Sequence, residues 1–390
     1  MIPLFKVFMT QNAIKRSSEI LNGPFIGQGP VVDEFEEKLK LNLDFKFPVT
    51  VNSGTTALTL ALHMLKSKMN YVYADGYSTQ EFNWNGCDEH TEVLTTPLTC
   101  TATNWAILAE GLKIKWVDVD PNTLNMSLED LKNKITENTK ILMLVHWGGY
   151  PNDLDKISEI LDWAEEKYGF RIMVVEDCAH AFWSRYKNEY IGNHGNFCAF
   201  SFQAIKHLTT VDGGLLVTPN SIYSKRAKLL RWYGIDRDTP RADFRCEDNI
   251  PEFGFKWHMN DVNAGIGIEN LIGSHFSVKV SQQNSKIYDD NLSNVPGLLN
   301  LERNTDMDSS CWLHTIRVEN RSDFMKKMAD AGIMVSRVHE RNDKHTCVEQ
   351  FKTNLPNLDI VANDMICIPN GYWVLETERN HIIDTIKSGW

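Results

Sequence analysis

The sequence predicts an α/β fold: a large domain built on a mostly parallel sheet flanked by helices, then a smaller C-terminal α+β domain. Three observations carry this. Residues 30–235 alternate helix-like and strand-like patterns, as expected where strands are joined through helical crossovers. The 390-residue chain exceeds the usual single-domain range. From about residue 245 the pattern changes, within a polar, proline-containing stretch (239–261) that leads to the next helix. The expected division is 1–245 and 246–390.

The elements follow in order. VVDEFEEKLKLNL (31–43) spaces its apolar residues as an amphipathic helix does. TALTLALHML (56–65) is apolar on nearly every side, which predicts a buried helix. Short strand-like runs follow at 92–97, 114–120, 140–146, 171–177 and 196–202, with helical stretches between them. SLEDLKNKI (127–135) opens with Ser127 and has Asp130 three positions later, close to a capping box. A helix is expected around 262–295. Residues 67–90, rich in Asn, Tyr and Gly, show no clear period and read as a long insertion loop. A loop of that length inside a compact domain is uncommon, so a functional role stays open.

Composition narrows the function. The net charge of −11 argues against general nucleic-acid binding, which needs a basic surface. No apolar run approaches the roughly 20 residues that span a bilayer, and the N-terminus lacks the features of a signal peptide. Eight cysteines are scattered singly with no C-x-x-C, which reads as reduced thiols in a cytoplasmic enzyme.

Three segments carry chemistry. VNSGTTALTL (51–60) is a strand entry, a small polar turn and an apolar helix. Gly54 permits a tight backbone, and Ser53, Thr55 and Thr56 set hydroxyls beside free N–H groups, as phosphate binding requires. Alone, the turn is also the start of an ordinary capped helix. VVEDCAHAFWSRY (174–186) ends a buried strand with Glu176 and Asp177, then His180. A carboxylate at a strand's carboxyl end can hold a heterocyclic nitrogen protonated, or simply cap the next helix. SFQAIKHLTTVDGGLLVT (201–218) places Lys206 just beyond a strand, with Ser201 nearby. Such a lysine forms a Schiff base where the pocket favours its neutral amine; an isolated lysine is more often solvated. Together, the three match what pyridoxal 5′-phosphate needs: an anchor for its aldehyde, a carboxylate for its ring nitrogen and donors for its phosphate.

In these residues the chain resembles the nucleotide-sugar aminotransferase family of DegT/StrS type, of which GDP-perosamine synthase-like 4-aminotransferases are examples, within the type I PLP-dependent transferase fold. The resemblance runs from GPFIGQGPVVDEFEEKL (23–39) through NSGTTAL, VDVDPNTLNMSLEDL, HWGGYPNDLDKI, VEDCAHA and YKNEYIGNHGNFCAFSF to NDVNAGIGIENL (260–271). It implies Lys206 as the cofactor lysine and Asp177 as the partner of the pyridine nitrogen. His180 falls beside the ring hydroxyl, and Ser201, Thr55 and Thr56 fall at the phosphate. It also implies a homodimer with active sites at the subunit interface.

Three positions depart from the family pattern. Cys100 stands where a stacking aromatic is usual, leaving Trp105 or His180 to contribute. Lys256 stands where many members have an Asn reaching the partner subunit's phosphate. Val211-Asp212-Gly213-Gly214 replaces Gly-Glu-Gly-Gly. The activity implied is transfer of an amino group from glutamate, through pyridoxamine phosphate, to a nucleotide-linked 4-keto-6-deoxyhexose. VSRVHERNDKH (335–345) offers His339, Arg341 and Asn342 as substrate contacts, or else a solvated charged turn. Trp147, Trp183 and the 67–90 segment are further candidates to line the substrate site. A PLP-dependent sugar dehydratase is the rival reading, weakened by Lys206 because those relatives carry histidine there. A non-catalytic cofactor-binding regulatory protein is the other.

Overall fold

The computed structural model describes residues 1–74, 79–240, 243, 246–247 and 249–390, with the backbone alone for 70–74 and 79–82. The expected junction at 245/246 therefore lies partly outside the described residues.

Helices α1 (Gln11–Leu21) and α2 (Pro30–Leu43) precede strand β1 (Pro48–Val51) and helix α3 (Gly54–Lys66). Strands β2 (Met69–Ala74) and β3 (Thr79–Trp84) pair antiparallel. The 67–90 segment is thus not wholly a loop. Its Tyr, Val, Phe and Trp residues suit paired strands, although no clear alternation announces them. Next come β4 (Glu92–Thr95), α4 (Thr101–Ala109), β5 (Lys113–Trp116), α5 (Leu128–Lys134), β6 (Thr139–Val145), α6 (Leu154–Tyr168) and β7 (Met173–Asp177). The short β8 (Arg185–Tyr186) and β9 (Glu189–Tyr190) lead to β10 (Phe197–Ser201), β11 (Gly214–Val217) and α7 (Ser221–Leu230). The long helix α8 (Asp261–Leu292) spans about 48 Å at 1.5 Å per residue. The C-terminal part holds β12 (Leu298–Asn300), β13 (Met307–Asp308), β14 (His314–Val318), α9 (Arg321–Asp330), α10 (Pro356–Asp364), β15 (Met365–Ile368) and α11 (Glu376–Lys387).

Seven strands form the main sheet in the order β1-β11-β10-β7-β6-β4-β5. All run parallel except β11, which is antiparallel to both neighbours. The sheet is covered on both faces, so its strands read as continuous apolar runs. Alternate residues serve opposite cores: Ile141, Met143 and Leu216 pack with α3, while Leu142, Leu144, Leu215 and Val217 face α2 and α6. The side chains of α3 from Ala57 to Leu62 are all buried, and each buried Leu there contributes about 1.5–3 kcal/mol.

A three-stranded sheet, β12-β14-β15, has its own core of Ile316, Phe324, Ile366 and Ile382. Helix α8 is tied to the large sheet's helices at its first residue. The Asp261 carboxylate accepts from the N–H groups of Gly29 (2.8 Å) and Val32 (3.2 Å), capping α2 from a distance. A side chain at Gly29 would strike that carboxylate. Local signals held as well: Ser127 Oγ accepts from the Asp130 N–H at 3.3 Å. Among the described residues no two cysteines are joined in a disulfide. Among the described residues no helix is long and apolar enough to cross a membrane.

Candidate active site

The carboxyl ends of neighbouring parallel strands are where ligands gather in such sheets, and β7 and β10 are neighbours. Asp177 ends β7 and is buried. Thr103 Oγ1, from the first turn of α4, donates to its Oδ2 at 2.5 Å, and the Ala179 N–H donates to Oδ1 at 3.0 Å. Burial pushes this carboxyl above its ordinary range; the two donors and the Lys206 charge pull the other way.

Lys206 lies in the loop from β10 to β11, on a turn closed by its own N–H to the Gln203 carbonyl (2.9 Å). Among the described residues nothing accepts a hydrogen bond from its Nζ, which rests 3.6 Å from the ring centroid of Trp312. Burial pushes its pKa down to about 8, against the pull of Asp177 and Cys100. A lysine with that pKa has a substantial neutral fraction near pH 8, so it can act as a nucleophile.

The imidazole of His180 stacks on Trp312 (4.1 Å, 26° between planes) and lies parallel to His339 at 5.4 Å. Its Nδ1 accepts from the Gly148 N–H at 3.3 Å, which places the ring proton on Nε2, 3.4 Å from His339 Nε2. Gly148 reaches this position with φ +62°, where a non-glycine residue is disfavoured. Burial first, then the Lys206 charge, pushes His180 well below its usual pKa and His339 to about 3. Both rings are therefore neutral at physiological pH.

The polar turn sits beside β10. Ser53 caps α3 by accepting from the Thr56 N–H (3.1 Å), and its Oγ lies 2.8 Å from Thr56 Oγ1. The N–H groups of Gly54 and Thr55 keep no acceptor among the described residues. Gly54 presses against Ser201, the last residue of β10; a Cβ on it would lie 2.8 Å from Ser201 Cβ. Gly214 is equally closed, since a side chain there would run into the Ser53–Gly54 peptide. Two free N–H groups, a close-approach glycine and a ring of hydroxyls suit an anion such as a phosphate ester. These donors, the strand-end carboxyl and the unpaired amine fit pyridoxal 5′-phosphate.

The sequence matches the DegT/DnrJ/EryC1/StrS aminotransferase family over residues 8–387. The chain belongs to that family. AtS13 from Actinomadura melliaura shares 46% identity and a TM-score of 0.92, covering 100% of this chain and 99% of its own. The sugar aminotransferase CalS13 from Micromonospora echinospora shares 39% identity, also with TM-score 0.92 and full coverage of both chains. GDP-perosamine synthase of Escherichia coli O157:H7 is 28% identical over 94% of this chain and 95% of its own. As a DegT/StrS-type member, the protein is a sugar aminotransferase with the type I PLP-dependent fold, and its cofactor is pyridoxal 5′-phosphate.

Against this family background the expected residues divide. Lys206, Asp177, His180 and His339 converge, Cys100 caps α4 close enough to act on the Lys206 charge, and Gly54, Thr55, Thr56 and Ser201 form the neighbouring turn. Lys256 stays exposed; its carbonyl accepts from Asn52 Nδ2 at 3.3 Å, beside that turn. Arg341 and Asn342 count against the substrate-contact expectation. The Arg341 guanidinium is bidentate to Asp343 (2.8 and 2.6 Å) and also reaches Asp359. Asn342 is fully buried: its Nδ2 donates to the Thr99 and Glu340 carbonyls, and its Oδ1 accepts from Asn104. Asn342 is spent on holding the turn to α4 and the loop before it, and Arg341 on its own turn and on Asp359 of α10.

The tryptophans divide too. Trp147 sets its edge against His180 and His339, whereas Trp183 is a core residue donating to Ser274. Trp105 turns towards His345. Sequence reasoning missed Trp312 and Thr103. Neither lies in a motif: Trp312 comes from the C-terminal part, and Thr103 is one threonine among several in a threonine-rich stretch.

Proposed function

We propose that Lys206 and Asp177 are the catalytic pair of a transaminase that moves an amino group from glutamate to a nucleotide-linked 4-keto-6-deoxyhexose. The observation that carries the reading is a half-buried amine with no acceptor among the described residues, its pKa lowered to about 8, in the same site as a buried strand-end carboxyl. Pyridoxal 5′-phosphate, when bound, supplies an aldehyde that takes up amines and a ring that accepts the electron pair released at a substrate carbon.

Lys206 anchors the cofactor through Nζ. When not engaged with the cofactor, its neutral amine would be the base that takes the proton from the donor's α-carbon and would then hold that proton for redelivery from the same face. Asp177 accepts from the pyridine N–H, with Thr103 and the Ala179 N–H fixing its two oxygens. Neutral His180, its Nδ1 taken by the Gly148 N–H, would have its Nε2–H to offer the cofactor's ring hydroxyl without adding a charge that would compete with Asp177. The Gly54 and Thr55 N–H groups, with Ser201 and Thr56, bind the phosphate. His339 is the remaining side chain offered to the sugar.

The 4-amino product is supported by the similarity to the UDP-4-amino-4-deoxy-L-arabinose–oxoglutarate aminotransferase of Shewanella sediminis, 28% identical over 85% of this chain and 81% of its own. A homodimer completing each site is part of the same reading, with Lys256 reaching the partner's phosphate. Exposed apolar side chains on α8, Ile272 and Phe276, suit such an interface.

The test is spectroscopic. The protein loaded with pyridoxal 5′-phosphate shows a visible absorption band that glutamate abolishes. No band, or one glutamate leaves unmoved, overturns the reading. GDP-, dTDP- and UDP-linked 4-keto sugars, tried in turn, then identify the acceptor.

A further inference from the structure

Trp312, which lies outside the motifs, meets the site at three points. Its indole Nε1 donates to the carbonyl of Ile205, the residue preceding Lys206, at 2.9 Å. Its ring lies 3.6 Å from Lys206 Nζ and stacks on His180. Behind it, Phe5 stacks at 5.1 Å and 20°. That phenylalanine is held by an N-terminal segment pinned at several points. The Ile2 N–H donates to the Gly332 carbonyl, Trp373 Nε1 to the Pro3 carbonyl and Tyr372 Oη to the Val7 carbonyl, each at 2.7–2.8 Å. The indole is thus fixed by a hydrogen bond to the lysine's own loop and by rings from two other segments.

We propose that the indole of Trp312 holds the Lys206 ammonium whenever that lysine is not attached to the cofactor, making Trp312 a positioning residue for the nucleophile. The inference rests on Lys206 being the anchoring lysine. An aromatic face attracts a cation, most strongly where water is scarce, and Nζ finds no hydrogen-bond acceptor among the described residues. The charge balance around it is set by Asp177 and Cys100, which favour the ammonium, and by burial, which opposes it. His180, His207 and His339 also face it, all neutral because burial lowers their pKa values. Without a holding surface, a released lysine would swing among rotamers. With one, it waits in place and, once its own proton has left, stands in reach of the atom it must deprotonate.

The experiment uses the full-length chain loaded with pyridoxamine phosphate, in which the Lys206 amine is free. Competitive labelling with acetic anhydride across a pH series, read by mass spectrometry of the Lys206 peptide, gives the amine's apparent pKa. Trp312→Leu should lower it by about half a unit to one unit, and Trp312→Phe by less. Circular dichroism and thermal melts confirm that both variants fold; Trp312→Phe keeps the test open if the leucine variant does not. An unchanged or raised pKa in folded variants overturns the proposal. Borohydride reduction of the wild-type protein loaded with pyridoxal 5′-phosphate separates the two ideas. Cofactor fixed to Lys206 upholds the underlying assignment whatever the tryptophan does; cofactor fixed to another lysine removes both.

Discussion

At the ends of β7 and β10, the amine of Lys206 has an aromatic face beside it and no hydrogen-bond acceptor. In the turn after α9, Arg341 gives its guanidinium to Asp343 and Asp359, and Asn342 spends both ends of its amide on α4 and the loop before it. As sequence the two places look alike, each a polar cluster with histidine and a base. They differ in where the partner is. Arg341 and Asn342 find theirs within the chain and serve to fasten it, whereas the Lys206 amine is left for something the chain does not contain. A polar group drawn even partly out of water, as half-buried Lys206 is, costs free energy unless satisfied. An amine kept without an acceptor therefore points to function, and a fully paired guanidinium to structure.

Substitutions can break that comparison, beginning with the largest effect. Lys206→Ala should end steady-state turnover, with a loss of roughly 10⁴-fold or more expected from removing anchor and base together. Measurable turnover near the wild-type rate would remove Lys206 from the chemistry. Asp177→Asn should retain cofactor, read by absorbance after gel filtration, while slowing the donor half-reaction by on the order of 10²-fold.

A smaller effect comes from pH. The Lys206 amine is neutral above its pKa of about 8 and protonated below it. Stopped-flow rates for the donor half-reaction should rise with pH through about 8, falling towards tenfold per unit well below it. A flat profile between pH 6 and 9 would assign the proton transfer elsewhere. The smallest effect on chemistry belongs to the other cluster. Asn342→Ala leaves the Thr99 carbonyl without its donor and removes one of the two acceptors of Asn104 Nδ2, and should cost about 1–3 kcal/mol in denaturant unfolding. KM for the sugar nucleotide should not change; a large rise would return Asn342 to the substrate site.

Much of this was legible in the residues because the fold's signals are local. Apolar runs placed β4, β6, β7 and β10, Ser127 announced α5, and the unbroken apolar pattern of α3 announced burial on all sides. Asp177 and Lys206 were legible for the same reason, each following directly on a buried strand. What stayed hidden depends on contacts between distant segments. Trp312 meets His180 from 132 positions away, counted as 312 − 180. Thr103 reaches Asp177 across 74. The pairing that commits Arg341 to Asp359 likewise depends on α10 folding back onto that turn. The antiparallel course of β11 was hidden too, since a buried strand's composition does not record its direction.

The placement of Phe5 has a practical side. Residues 2–8 are the kind of leading segment usually trimmed or fused to a purification handle without a second thought. Here Ile2, Pro3 and Val7 are bonded into the C-terminal part, and Phe5 lies one ring from the indole that meets Lys206. A protein shortened by its first eight residues can be expected to purify well and still give misleading kinetics.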